Sequence, residues 1–133
     1  MDKKELGKLL DYARVSQNLR DCYGWDGRHA DPVTMKSVCD MQSFFAYLSS
    51  QVGLKKIKVP DVTGHPNGGL TLEWEKLIKE RGKYKMDFLA LTFFGDKTVT
   101  LESDLEYLGI KNHEEFDLTT PLNNTIIQHV NYF

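Results

Sequence analysis

The chain has 133 residues, of which 41% are hydrophobic and 27% charged, and its formal net charge is −2. These values are typical of one soluble globular domain, and we expect a single domain over residues 1–133. No apolar run reaches the roughly 20 residues of a membrane span, and the charged first residues are not a secretion signal. We therefore expect a cytoplasmic protein with reduced Cys22 and Cys39, and a disulfide between them stays an alternative.

Two helices are predicted in the first half. Apolar residues recur near helical spacing over about 2–20, and two glycines then predict a loop over 23–30. For the second helix Asp31 suits the N-cap, and Pro32 suits the first helical position, where its missing N–H costs nothing. Gly53 fits the C-terminal stop.

The second half changes to the period of two that indicates strands. Pro60 cannot donate to a neighbouring strand, which predicts an edge position for the first strand. Trp74 is expected to face the core, and residues 76–84 form a basic connection with room for a helical turn. The third strand is apolar on both faces, which favours a central position. The predicted strands cover about 57–62, 70–75, 85–94 and 98–101.

The C-terminal part is predicted to be helical. Ser103 and Glu106 make a capping box for a short helix through Leu108, and Asn124 can cap a final helix. The sequence thus predicts an α+β fold. Two N-terminal helices pack on a three- to four-stranded antiparallel β-meander, followed by short C-terminal helices.

Two short motifs carry a resemblance. Residues 25–27 read Trp-Asp-Gly, residues 66–69 read Pro-Asn-Gly-Gly, and residues 72–74 read Leu-Glu-Trp. This combination resembles a group of small uncharacterised bacterial and mobile-element proteins with a Trp-Asp-Gly loop and a Pro-(Asp/Asn)-Gly-Gly-x-x-Leu-Glu-Trp hairpin. The chain has Arg28 and His29 where that pattern has Tyr and Gly. The resemblance transfers no activity, but such genes are common in phages, which implies a small binding or regulatory protein.

Charge is unevenly distributed along the chain. Residues 55–85 carry eight Lys/Arg and four Asp/Glu, whereas residues 86–133 carry two and eight. Such segregation can steer association with a charged partner. The predicted basic partner-binding residues are Lys76, Lys79, Arg81, Lys83 and Lys85.

The loop around Trp25 is the second candidate binding surface. Trp25 is accompanied by Asp26, Arg28 and His29, and an aromatic side chain beside an arginine is typical of binding hot spots. The alternative is that Trp25 plugs the base of the helix pair. The sequence leaves both possibilities open.

Catalytic and metal-binding patterns are weak. The four histidines lack metal-ligand spacing, and the glycines of residues 64–69 lack the lysine of a P-loop, so we predict no metal and no cofactor. The hypothesis that the protein is an enzyme requires Asp26, His29, His65 and Glu73 to lie together in one cleft.

The favoured function is therefore a non-enzymatic protein-binding module. The resemblance suggests a phage or mobile-element inhibitor, or an antitoxin-like regulator, that binds a host protein or complex. One alternative is non-specific nucleic-acid binding, chiefly of RNA, through the basic residues 76–85. The second alternative is a small hydrolase or nuclease. No membrane partner is expected, and the oligomeric state stays open.

Overall fold

The computed structural model describes residues 1–133, with the exception of the Tyr107 side chain. Its architecture is the predicted α+β fold, with five strands where three or four were expected. No helix in the described residues has the length and apolar character to cross a bilayer. The elements are α1 (Lys3–Leu19), α2 (Met35–Gln51), β1 (Asp61–His65), β2 (Gly69–Glu80), β3 (Lys83–Phe93), β4 (Thr98–Leu105), a 3-10 turn (Glu106–Leu108), β5 (Ile110–Asp117) and α3 (Asn124–Tyr132).

The five strands form an antiparallel sheet in chain order, so β1 and β5 are its edges and β3 is central, as predicted. Alternate residues face the helices and make the core, which includes Leu72, Leu91 and Leu101. Trp74 faces the same core, and its indole N–H donates to the carbonyl of Lys58 at 2.8 Å. The opposite face of the sheet carries no helix, and we call it the open face.

The predicted start of the second helix is wrong by several residues. α2 begins at Met35 with Thr34 as N-cap, so neither Asp31 nor Pro32 belongs to the helix. The reason is a long-range contact, because the backbone N–H of Asp31 donates to the carbonyl of Pro66 at 2.7 Å. This bond holds the segment before α2 in the loop, against the turn between β1 and β2.

The predicted first strand and connecting segment also need correction. β1 begins at Asp61, so Pro60 precedes the strand, although the predicted edge position is confirmed. Residues 76–84 form no separate connection and no helical turn. β2 and β3 continue through them and pair as far as Glu80 and Lys83.

The C-terminal part differs more. β4 runs to Leu105, so Ser103 lies in a strand and the expected capping box does not form. Only a single 3-10 turn follows, and then the unpredicted β5. β5 is a mostly exposed edge strand, and its few partly buried residues give no period-two signal. α3 is the predicted last helix, but its N-cap is Asn123 rather than Asn124.

Candidate partner-binding surfaces

The hairpin of β2 and β3 extends beyond the rest of the sheet. β1 pairs with β2 only as far as Glu73, and β4 pairs with β3 only from Phe88 onward. Within the sheet, residues 76–80 and 83–87 therefore pair only with each other. We call residues 76–87 the arm. It carries all five predicted basic residues: Lys76, Lys79, Arg81, Lys83 and Lys85.

The arm ends in a two-residue turn. Arg81 and Gly82 have φ angles of 50° and 76°, and a type I′ hairpin turn requires positive φ at both central positions. Asn-Gly is the preferred pair there, because Gly has no Cβ to crowd the following carbonyl oxygen and the short polar side chain of Asn can hydrogen-bond locally. The exposed Arg81 is thus held at the tip of the arm in a conformation that disfavours arginine.

The basic side chains are distributed over both faces of the arm. Lys79 lies on the open face opposite Tyr84, with its ammonium 5.7 Å from the centre of that ring. Lys76 lies on the helix side, with its ammonium 4.5 Å from the centre of the Tyr132 ring in α3. Lys85 shares that side, opposite Ile78. The positive charge therefore surrounds the arm and does not form one flat patch.

A row of large apolar side chains runs along the open face of the arm. Leu77 lies directly opposite Met86, with Tyr84 and Phe88 on the same side of β3. Their exposed fractions range from 36% for Phe88 to 64% for Tyr84. We call these four residues the apolar row. Contiguous exposed apolar surface rimmed by charge is typical of interaction sites.

Carboxylates border the apolar row at the sheet end. Phe88 has Glu75 opposite it on β2 and Asp104 opposite it on β4. Asp104 makes an ion pair with the exposed Lys111 at 3.7 Å, and such a pair contributes little. The open face therefore presents a basic tip, an apolar middle and an acidic base.

Trp25 is packed into the protein on several sides. Its indole N–H donates to the carbonyl of Asp31 at 2.7 Å, and the Arg20 guanidinium lies 5.2 Å from the ring centre. A Cβ at Gly64 in β1 would lie 2.9 Å from the ring edge. The ring is partly buried against the core. Trp25 therefore packs between the end of α1 and β1, and its part in partner binding stays a prediction.

The residues that follow Trp25 stabilise their own loop. One oxygen of the Asp26 carboxylate accepts the backbone N–H groups of Arg28 at 2.9 Å and Ala30 at 3.2 Å. The bond from Arg28 is the main reason that the pKa of Asp26 lies below its ordinary value. Nδ1 of His29 lies 3.0 Å from the Tyr23 hydroxyl. Arg28 itself is exposed.

The two sequence motifs meet in space. Besides the bond from Asp31 to Pro66, a Cβ at Gly68 would lie 3.0 Å from the carbonyl oxygen of Pro32, and Gly64 faces Trp25. The glycines thus allow the loop after α1 to lie against the β1–β2 turn. The sequence showed both motifs but gave no sign of this contact.

The residues of the enzyme alternative are only partly brought together. His65 and Glu73 line a groove of about 350 Å³ on the open face, whose lining includes neither Asp26 nor His29. Nδ1 of His65 accepts the backbone N–H of Asn67 within its own turn. Throughout the described part of the chain, no cluster of three His, Cys, Asp or Glu residues fits a metal ion. Both cysteines are exposed free thiols.

In comparisons with known proteins, no family model, no curated protein and no solved structure matches the chain. What the fold defines is a small α+β domain with one uncovered sheet face and a projecting hairpin. The surfaces of the chain itself must therefore carry any inference about its function.

Proposed function

We propose that this protein is a non-enzymatic protein-binding module that binds its partner through the apolar row and the tip of the arm. The observation that carries the proposal is the exposure of four large apolar side chains side by side on a surface that no helix covers. Burying such a row against a partner removes apolar area from water, which is the main favourable term in protein association.

The composition of the surface supports a protein partner. Aromatic, Met and Arg side chains are enriched in protein interfaces, and the arm offers Tyr84 and Met86 on one face of β3 and Arg81 at its tip. Truncating such a central residue typically costs roughly 2 kcal/mol or more of binding free energy. A phage or mobile-element inhibitor, or an antitoxin-like regulator, that blocks a host protein would use a surface of this kind.

Nucleic acid is the competing partner for the arm. A two-stranded ribbon with lysines on both faces has dimensions that enter a nucleic-acid groove. However, Glu75 and Asp104 border the apolar row, and their carboxylates would repel the phosphates of a nucleic acid bound there. These carboxylates favour the protein partner, and nucleic acid becomes an outcome of the test.

The test is affinity capture from nuclease-treated bacterial lysate with the wild type and two variants. Leu77→Glu with Met86→Glu places charge in the centre of the apolar row. Val15→Glu makes the same kind of change at an exposed position of α1 and is the matched control. We expect one stoichiometric protein that the wild type and the control retain and the row variant loses.

Two results would contradict the proposal. In the first, the row variant retains the same protein as the wild type. In the second, capture occurs only without nuclease and is released by salt, which would assign the arm to nucleic acid. Thermal unfolding of each variant shows whether it is folded, and we expect little change because the replaced side chains are exposed.

A further inference from the structure

A separate groove of about 760 Å³ lies between α1 and the edge strand β1. The buried side chains of Leu9 and Val62 lie at its base. Tyr12 and Val59 line it as well and are considerably more exposed. The volume falls within the range of ligand sites, and the groove shares none of its lining with the arm.

One wall of the groove is an unextended sheet edge. β1 pairs with β2 on one side only, so alternate N–H and C=O groups of β1 point away from β2. Such an edge is a template for an added strand, and extended peptides use this mode of binding in several domain classes. Here the edge and an apolar groove lie side by side.

The lining of the groove has an excess of negative charge, because Glu5, Asp61 and Glu73 outnumber the one cation, Lys8. Asp61 on β1 lies directly opposite Glu73 on β2, and like charges in this relation are destabilising. Glu73 accepts a hydrogen bond from the Thr63 hydroxyl at 3.3 Å. Among the described residues, neither carboxylate has an ion-pair partner. A cation brought by a ligand would relieve this repulsion.

We propose that this groove binds an extended peptide segment that adds to β1 as a sixth strand and places a Lys or Arg beside Asp61 and Glu73. Successive side chains of a strand point to opposite faces of the sheet. An apolar side chain can therefore pack on Leu9 and Val62 on the helix side. The residue next to it then reaches the carboxylates on the open face. The ligand class is thus an alternating apolar and basic segment.

This inference goes beyond the proposed function, because its site shares no residue with the apolar row or the tip of the arm. Leu77 and Met86 line a small pocket together with Asp61 and Glu73, so the separating variant is taken nearer the tip of the arm. Tyr84→Ala is expected to leave peptide binding in the groove unchanged. Tyr12→Ala, on the α1 side of the groove, is expected to leave capture through the arm unchanged. Each proposal can therefore fail without the other.

The first experiment is a fluorescence-anisotropy titration with a labelled eight-residue peptide of alternating valine and lysine. A peptide of alternating valine and glutamate is the control ligand. We expect the lysine peptide to bind about tenfold more tightly or better, the size expected from two exposed charge contacts. Asp61→Lys with Glu73→Lys is expected to reverse this preference. Glu115→Lys, on the opposite edge strand, is expected to keep it.

A second measurement tests the strand geometry. Hydrogen exchange followed residue by residue is expected to show slower exchange of amides in β1 when the lysine peptide is bound. Failure to bind at millimolar peptide, unchanged preference after charge reversal, or unchanged exchange in β1 would overturn the proposal. Sedimentation of the wild type tests the other occupant. A dimer that slows exchange of the β1 amides without peptide and persists when peptide is added would assign the edge to a second copy of the chain and also overturn the proposal.

Discussion

Arg81 allows a direct test of the turn that ends the arm. Its φ of 50° lies in the left-handed region, where a residue other than Gly, Asn or Asp destabilises the folded state by roughly 1–2 kcal/mol. Arg81→Asn creates the preferred Asn-Gly pair with Gly82. Because Arg81 is exposed, the replacement removes little packing. We expect the free energy of unfolding to rise by about 1 kcal/mol.

The assay is urea unfolding followed by tryptophan fluorescence. With the usual dependence on urea for a domain of this size, about 1 kcal/mol moves the midpoint upward by roughly 0.3–1 M. Arg28→Asn is the matched control, since Arg28 is also exposed but is absent from the positive-φ positions. It is expected to change the free energy of unfolding by less than about 0.5 kcal/mol.

The same variant also tests whether the arginine serves binding. If Arg81→Asn raises stability and weakens capture of the partner, the residue at the tip trades stability for interaction, as functional sites often do. A variant no more stable than the wild type would refute the argument from φ. A more stable variant with full capture would remove Arg81 from the proposed interface.

Two further predictions concern the contact between the motifs and the loop. Gly64→Ala would bring a Cβ to 2.5 Å from Cδ of Arg20 and 2.9 Å from the Trp25 ring. We expect the free energy of unfolding, measured in urea, to fall by about 1–3 kcal/mol and the tryptophan emission to change. Gly7→Ala, which meets no atom within 4 Å, is expected to stabilise instead, and equal effects would contradict the packing argument. Asp26 has a lowered pKa in the folded state, so its contribution to stability is present above the ordinary value of 3.8 and is lost as pH falls through the folded value. In Asp26→Asn, urea midpoints measured against pH are expected to fall less steeply on the acid side. If the urea midpoint of the variant falls with pH as steeply as that of the wild type, Asp26 makes no such contribution to stability.

The sequence predicted the elements whose signal is local. α1, the core of α2, the inward position of Trp74 and the central strand all follow from periodicity. The start of α2 was missed because the N–H of Asp31 bonds to Pro66, far away in the chain. β5 was missed because its side chains are largely exposed, so no buried face marks the strand. At the start of α2 a long-range contact overrides a local capping signal. In β5 the strand forms through pairing with β4 and has no local signal of its own.

The candidate surfaces show the same division. The basic residues of the arm could be found by counting charges. The apolar row could not, because Leu77 and Met86 become neighbours only through the pairing of β2 with β3. The like-charged pair of Asp61 and Glu73 equally depends on the register of β1 with β2. Composition locates charge along the chain, whereas register decides which side chains act together.

The length of the arm has a consequence for the energetics of recognition. A two-stranded ribbon without further neighbours is only marginally stable in water, and residues 77–80 and 83–86 have no third strand beside them. The base of the arm is anchored, because the buried Asp87 accepts hydrogen bonds from the backbone N–H of Glu106 and the hydroxyl of Tyr132. Local opening of the arm therefore requires less free energy than unfolding of the domain. A partner that binds the arm must also hold its two strands together. Its measured affinity is then the strength of the contacts reduced by the cost of ordering the ribbon, and a stiffer arm would bind more tightly without any new contact.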